Sequence, residues 1–141
     1  MNERTAVAPL VDRNGLEILT RADCLELLGD RGMGRVAVTM NALPVVLPVC
    51  YAVLDNDVII RTGTGTKLSA AVNHSVVTFE VDRLEGDDRW SVCVTGVASP
   101  VTRPDDLSKV VALSMPPGLR TLRPHFVRIR SDLVSGRRLL G

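Results

Sequence analysis

Aromatic side chains are nearly missing from this sequence: one Trp, one Tyr and two Phe make up 3% of its 141 residues. The interior must therefore be built from Val, Leu, Ile and Ala, and the abundance of Val favours strands, where β-branched side chains pack on a pleated surface. Charge of one sign is missing too. Seventeen basic residues offset sixteen acidic ones, for a net charge of +1, so there is no field to draw in nucleic acid or an anionic membrane. The uninterrupted apolar runs are a few residues long, far short of the roughly 20 that span a bilayer. Residues 1–15 carry Glu3, Arg4, Asp12 and Arg13 and lack the apolar core of a signal peptide. Cysteine is scarce, odd in number and never arranged as CxxC: Cys24, Cys50 and Cys93 stand alone. These absences lead us to expect a cytoplasmic protein. With His74 and His125 the only histidines, no metal site is expected either.

What is present suits a single domain, since the length lies within the usual range and 45% of residues are hydrophobic. Residues 1–18 mix polar, Pro and Gly residues without periodicity and read as a flexible N-terminal arm. Residues 19–141 read as one domain. Thr20 offers an N-cap to a helix with Leu25, Leu27 and Leu28 on one face, stopped by Gly29 and Gly32. Strands are predicted over 34–40, 45–53 and 58–62, with turns at Asn41-Ala42-Leu43-Pro44 and Asp55-Asn56-Asp57. A short helix capped by Thr64 or Thr66 runs to Val72. Further strands cover 75–81 and 90–101, a helix opens at Pro104 and ends at Pro116-Pro117-Gly118, and a last strand covers 125–131. Antiparallel hairpins joined by short helices predict a mainly β fold, a barrel of about six antiparallel strands.

The segment richest in chemistry is Arg61-Thr62-Gly63-Thr64-Gly65-Thr66-Lys67-Leu68. A strand end delivers a guanidinium and a hydroxyl; after a Gly-x-Gly loop, a second hydroxyl and an ammonium follow at a helix start. Cations, short hydroxyls and unpaired backbone N–H groups are what a phosphate needs. The segment is not a P-loop, because Thr66 precedes Lys67 and Leu68 follows it. It is not a dinucleotide fingerprint, because Leu68 occupies the third glycine position. The same residues also read as an ordinary turn whose Arg and Lys are solvated.

The ordered series GRVAVTM, PVVLPVCY, IIRTGTGTKLSAAV, VVTFEVD and WSVCVTGVA resembles the pyridoxamine 5'-phosphate oxidase-like flavoproteins, especially their short actinobacterial-type members. The resemblance covers residues 20 to 103 well and FVRIRSDLVSGRRL more loosely. It implies a split β-barrel and a homodimer with flavin mononucleotide (FMN) in two clefts at the subunit interface. It further implies phosphate binding by Arg61, Thr62, Thr66 and Lys67. Val46, Pro48, Val49 and Cys50 would line the isoalloxazine ring, and Trp90 and Ser91 would approach the ring or ribityl chain. Relatives often carry Asn where this chain has Cys50.

No residue stands out as an acid, base or nucleophile, so catalytic residues are unassigned. The resemblance implies a flavin-dependent oxidoreductase whose small-molecule substrate and electron donor are unspecified. A deazaflavin-dependent reductase and a non-catalytic flavin-binding or sensing dimer are the alternatives. Pyridoxamine 5'-phosphate oxidase activity itself is not expected, because the C-terminal Trp with Arg-x-His that holds that substrate has no counterpart in Arg128-Ile129-Arg130 or Arg137-Arg138.

Overall fold

The computed structural model describes residues 8–63, 66–113 and 124–139, with Lys67 and Pro124 described by backbone alone. The expected Gly-x-Gly loop at Thr64 and Gly65, the helix stop at Pro116-Pro117-Gly118 and the first seven residues of the arm lie outside them. The chain runs β1 (Leu16–Ile18), α1 (Arg21–Leu28), β2 (Arg31–Met40), β3 (Leu43–Leu54), β4 (Asp57–Gly63) and α2 (Lys67–Val72). It continues as β5 (Val76–Arg83), β6 (Trp90–Pro100), α3 (Pro104–Ala112), β7 (Pro124–Ile129) and β8 (Leu133–Leu139).

Two tight hairpins set the register. Asn41 and Ala42 (φ 51° and 64°) join β2 to β3, and Asp55 and Asn56 (φ 51° and 66°) join β3 to β4. Two consecutive left-handed residues match the natural twist of paired strands. Neighbouring strands β5, β2, β3, β4 and β7 pair in that order, and β6 bonds both β5 and β7. The result is the expected closed antiparallel barrel of six strands. Its interior is Val36, Val38, Val49, Val58, Ile60, Phe79, Val92, Val94, Val127 and Ile129, all buried. The rings of Tyr51 and Phe79 meet at 4.7 Å, so half of the scarce aromatic complement sits at the barrel's centre.

Eight strands form where six were expected, because β1 and β8 lie outside the barrel. β8 pairs with the first half of β6, from Trp90↔Arg138 to Thr95↔Leu133, and β1 adds to its far edge. The last strand expected from the sequence ended at Ser131, and β8 lies beyond it, with Gly136 inside it. That glycine is a packing requirement: a Cβ at Gly136 would meet Cys24 Sγ at 2.7 Å and the Ser91 carbonyl at 2.9 Å. The residues expected to form a loose arm thus include a strand, and Asp12 before it pairs with Arg137 at 3.0 Å. Gly32 lies inside β2 and does not stop α1; Gly29 alone (φ 71°) forms the C-cap. α3 covers the outer face of β4 and β7 through Val110, packed with Ile59 and Phe126. Among the described residues, no helix is long and apolar enough to cross a membrane.

Candidate functional site

The ladder between β3 and β4 stops early. It runs from Leu54↔Asp57 to Tyr51↔Ile60 and no further. Beyond Ile60, β4 stays with β7 through Arg61↔Phe126, Thr62↔His125 and Gly63↔Pro124. β3 meanwhile stays with β2 from Cys50 back to Leu43. A fork opens between the two strands, and its free β3 edge carries Val46, Pro48, Val49 and Cys50. Proline belongs in such a place, since a strand with one partner can lack an N–H without breaking a ladder.

Side chains alternate across this fork. Val49 and Thr62 point inwards and are each 4% exposed, whereas Val46 stands out at 62%. Pro48 is exposed and Arg61 half-buried. Cys50 is buried, with its thiol 3.1 Å from Met33 Sδ across the β2–β3 ladder. The Arg61 guanidinium lies 5.9 Å over the Phe126 ring, and its Nε is shut away from water with no hydrogen-bond partner among the described residues. Such an atom is costly to leave unpaired.

The threonines are already engaged. Thr62 donates to the His125 carbonyl at 3.4 Å. Thr66 donates to the Gly63 carbonyl at 2.8 Å and accepts from the Ser69 N–H at 3.1 Å, which makes it the N-cap of α2. A hydroxyl has one proton to give, so neither threonine can donate to an incoming anion without releasing a carbonyl. Among the described residues Arg61 is the donor of this end whose Nε has no partner, and Lys67 follows on the first turn of α2.

Trp90 and Ser91 are placed elsewhere. They open β6, opposite Arg83 and Asp82 of β5 and opposite Arg138 and Arg137 of β8. Within one chain β7 separates them from β4 on one side, and β3, β2 and β5 separate them on the other. Trp90 is half-buried and packs on the barrel core, and its indole N–H has no partner among the described residues. The structure therefore puts the β3 and β4 candidates on neighbouring strands that part beyond Tyr51↔Ile60, and the β6 pair on a strand that bonds neither.

Reactive groups are otherwise quiet. Burial pushes the Cys24 and Cys93 thiols up, keeping both protonated. Glu80 is also raised, by burial first and then by Asp82, against the pull of Arg35. Among the described residues, no His, Cys, Asp and Glu cluster could hold a metal ion. The guanidinium of Arg61 suits an anion, and the described residues offer no ready nucleophile. Phe126 under Arg61 escaped the sequence reading, because only the β4–β7 pairing brings the two together.

The sequence pattern of the pyridoxamine 5'-phosphate oxidase family matches residues 20–138. The chain belongs to this family. An uncharacterised protein of Mycobacterium tuberculosis is 36% identical over 129 residues, covering 86% of this chain and 84% of that protein. Among solved structures, an FAD-binding protein from Mycobacterium smegmatis is 32% identical with a TM-score of 0.77, covering 87% of this chain and 99% of that one. An FAD-binding protein from Mesorhizobium loti is 25% identical with a TM-score of 0.67, covering 89% of this chain and 99% of that one. The match to the pyridoxamine 5'-phosphate oxidase family begins at Thr20, the N-cap of α1, and ends at Arg138 in β8. It takes in the whole barrel and leaves β1 outside.

Proposed function

We propose that this member of the pyridoxamine 5'-phosphate oxidase family binds a flavin nucleotide at the β3–β4 fork and serves as a flavin-dependent oxidoreductase. The observation that carries the reading is the unpaired Nε of Arg61 beside the free edge of β3, in a chain whose structural relatives include FAD-binding proteins. Arg61 and Lys67 would hold the phosphate next to the ribityl chain, a group that FMN and FAD share, and Thr62 and Thr66 would shape its surroundings. Val46, Pro48, Val49 and Cys50 would line the ring. Bound flavin would supply the electron chemistry, and the protein would supply orientation and electrostatics.

The assembly we propose is a homodimer with the cofactor between protomers. Trp90 and Ser91 stand on β6, which pairs with neither β3 nor β4, and in this reading a cofactor touching both sets would take them from two chains. The outer sheet face supports this, since Met33, Val46, Val76, Val97 and Leu133 are all exposed there. Flavin binding without turnover is the second reading. It is favoured by the cysteine at the fork, Cys50, which is buried with its thiol against Met33 Sδ.

Absorption and mass of the co-purifying molecule would identify FMN, FAD or a deazaflavin. Titration of FMN, FAD and riboflavin into wild type and Arg61→Gln tests the site. Loss of one charge-assisted contact weakens both nucleotides by about one to two decades while sparing riboflavin. Equal losses for all three would sink the phosphate assignment. Reduction by NADPH or NADH followed by acceptor turnover separates an oxidoreductase from a binding protein.

A further inference from the structure

Between α3 and the outer wall of the barrel lies a cavity of about 240 Å³. Its floor is a row across three strands, Ile59 of β4, Arg128 of β7 and Ser99 of β6, each directly opposite the next. Opposed residues of neighbouring strands share a face, so all three lie on the side that α3 covers. The helix lines the cavity with Arg103, Asp106 and Val110. Spacings of three and four put these positions on one stripe, and Val110, 2% exposed, packs that stripe against Ile59.

The lining is of two kinds. Leu54, Ile59, Val101 and Val110 are apolar and belong to the small cluster beneath α3. The polar groups are not spent on one another. Arg128 gives its Nε to Asp57 at 2.7 Å, which offsets its charge. The side chains of Ser99, Thr102, Arg103 and Asp106 have no hydrogen bond or ion pair among the described residues. Arg103 does not cap α3 through its side chain. Opposite charges three apart on a helix can pair, yet no ion pair joins Arg103 to Asp106. Elsewhere on the outer wall Arg35 meets Glu80 at 2.7 Å. Under α3, a cation and an anion line one apolar-floored cavity, and neither has a partner among the described residues.

We propose that this cavity binds a free aliphatic α-amino acid. The ligand's carboxylate suits the Arg103 guanidinium, which can take both oxygens at once. Its ammonium suits the Asp106 carboxylate, and its side chain suits the apolar floor. The volume falls below the roughly 300–1,000 Å³ of drug-sized sites and matches a molecule as small as valine or leucine. None of these residues stands at the fork, so binding here does not depend on flavin.

Isothermal titration calorimetry of valine and leucine into the purified protein, with whatever cofactor it carries, tests the site. Saturable binding is expected. Three analogues each lack one part of valine: 3-methylbutanoate the ammonium, isobutylamine the carboxylate and glycine the side chain. Each should bind about tenfold or more weakly than valine. Arg103→Gln and Asp106→Asn should each weaken valine by a similar factor, with circular dichroism confirming that the variants fold. If one variant fails to fold, the other and the analogue series still decide. No saturable heat from either amino acid at millimolar concentrations overturns the site. So does any analogue that binds as tightly as valine, or valine binding unchanged in either folded variant.

Discussion

On the inner wall of the barrel, β4 buries Val58 and Ile60 completely, each between strands that pair on both sides. One residue past Ile60 the same strand has lost its β3 partner and carries Arg61 with an unpaired N–H. The wall satisfies its own backbone and fills its own space. The fork leaves a strand edge, a cation and a buried donor with no partner among the described residues. A closed barrel has no edges to offer a ligand, and the fork that we propose as the flavin site is where closure locally fails. Substitutions in the wall should therefore cost stability, and loss of the fork's cation should cost affinity.

Phe79→Ala gives the largest expected effect on stability. The ring is fully buried against Tyr51, and its loss should destabilise by about 3–5 kcal/mol, read from urea unfolding. A loss under about 1 kcal/mol would mean the wall is not packed as described.

Gly96→Ala comes next. Gly96 sits where β6 leaves β8 and begins to pair with β7, and an added Cβ would strike the Arg130 carbonyl. Backbone must move, so we expect a loss of about 1–3 kcal/mol in the same assay. Near-neutral behaviour would show that the two ladders are not pressed together at that point.

Asp57 gives a smaller, pH-dependent effect at the hairpin end of β4. Burial raises its pKa, but the Ser131 N–H at 3.0 Å, Arg128 at 2.7 Å and the Ser131 hydroxyl together bring it below the ordinary carboxylate value. A depressed folded-state pKa adds stability above the unfolded value of about 3.9 and loses it as pH falls through the folded one. Wild type should weaken on acidification through that window, and Asp57→Asn should start lower and respond less. Identical acid profiles in denaturant titrations would dismiss the role.

Cys50→Ser should have the smallest effect. Cys50 packs against Met33 at the fork, so flavin affinity should stay within about threefold of wild type and any redox activity should persist. Complete loss of activity with cofactor retained would instead point to a thiol nucleophile.

Local pattern sufficed for much of this molecule. Alternation marked all six barrel strands, and Asp55-Asn56 forms the tight turn that its residues favour. Thr20 and Thr66 cap the helices they precede, because a side-chain oxygen beside free N–H groups is a local matter. The Arg61-to-Lys67 segment was legible for the same reason: its residue types are adjacent in sequence. β8 was not legible, since a strand of Leu-Val-Ser-Gly-Arg-Arg-Leu gains its stability from β6 on one side and α1 above, neither of which is near it in the chain. Nor was the fork, because the loss of the β3 ladder beyond Tyr51 follows from β7 holding the far side of β4. Phe126 under Arg61, and Arg138 beside Trp90, are likewise partners across strands remote in sequence. Hydrophobic period and capping act over a few residues and can be read one residue at a time. Which edge stays open, and which donors go unpaired, depends on how the barrel closes, and that is decided only when all of its strands have met.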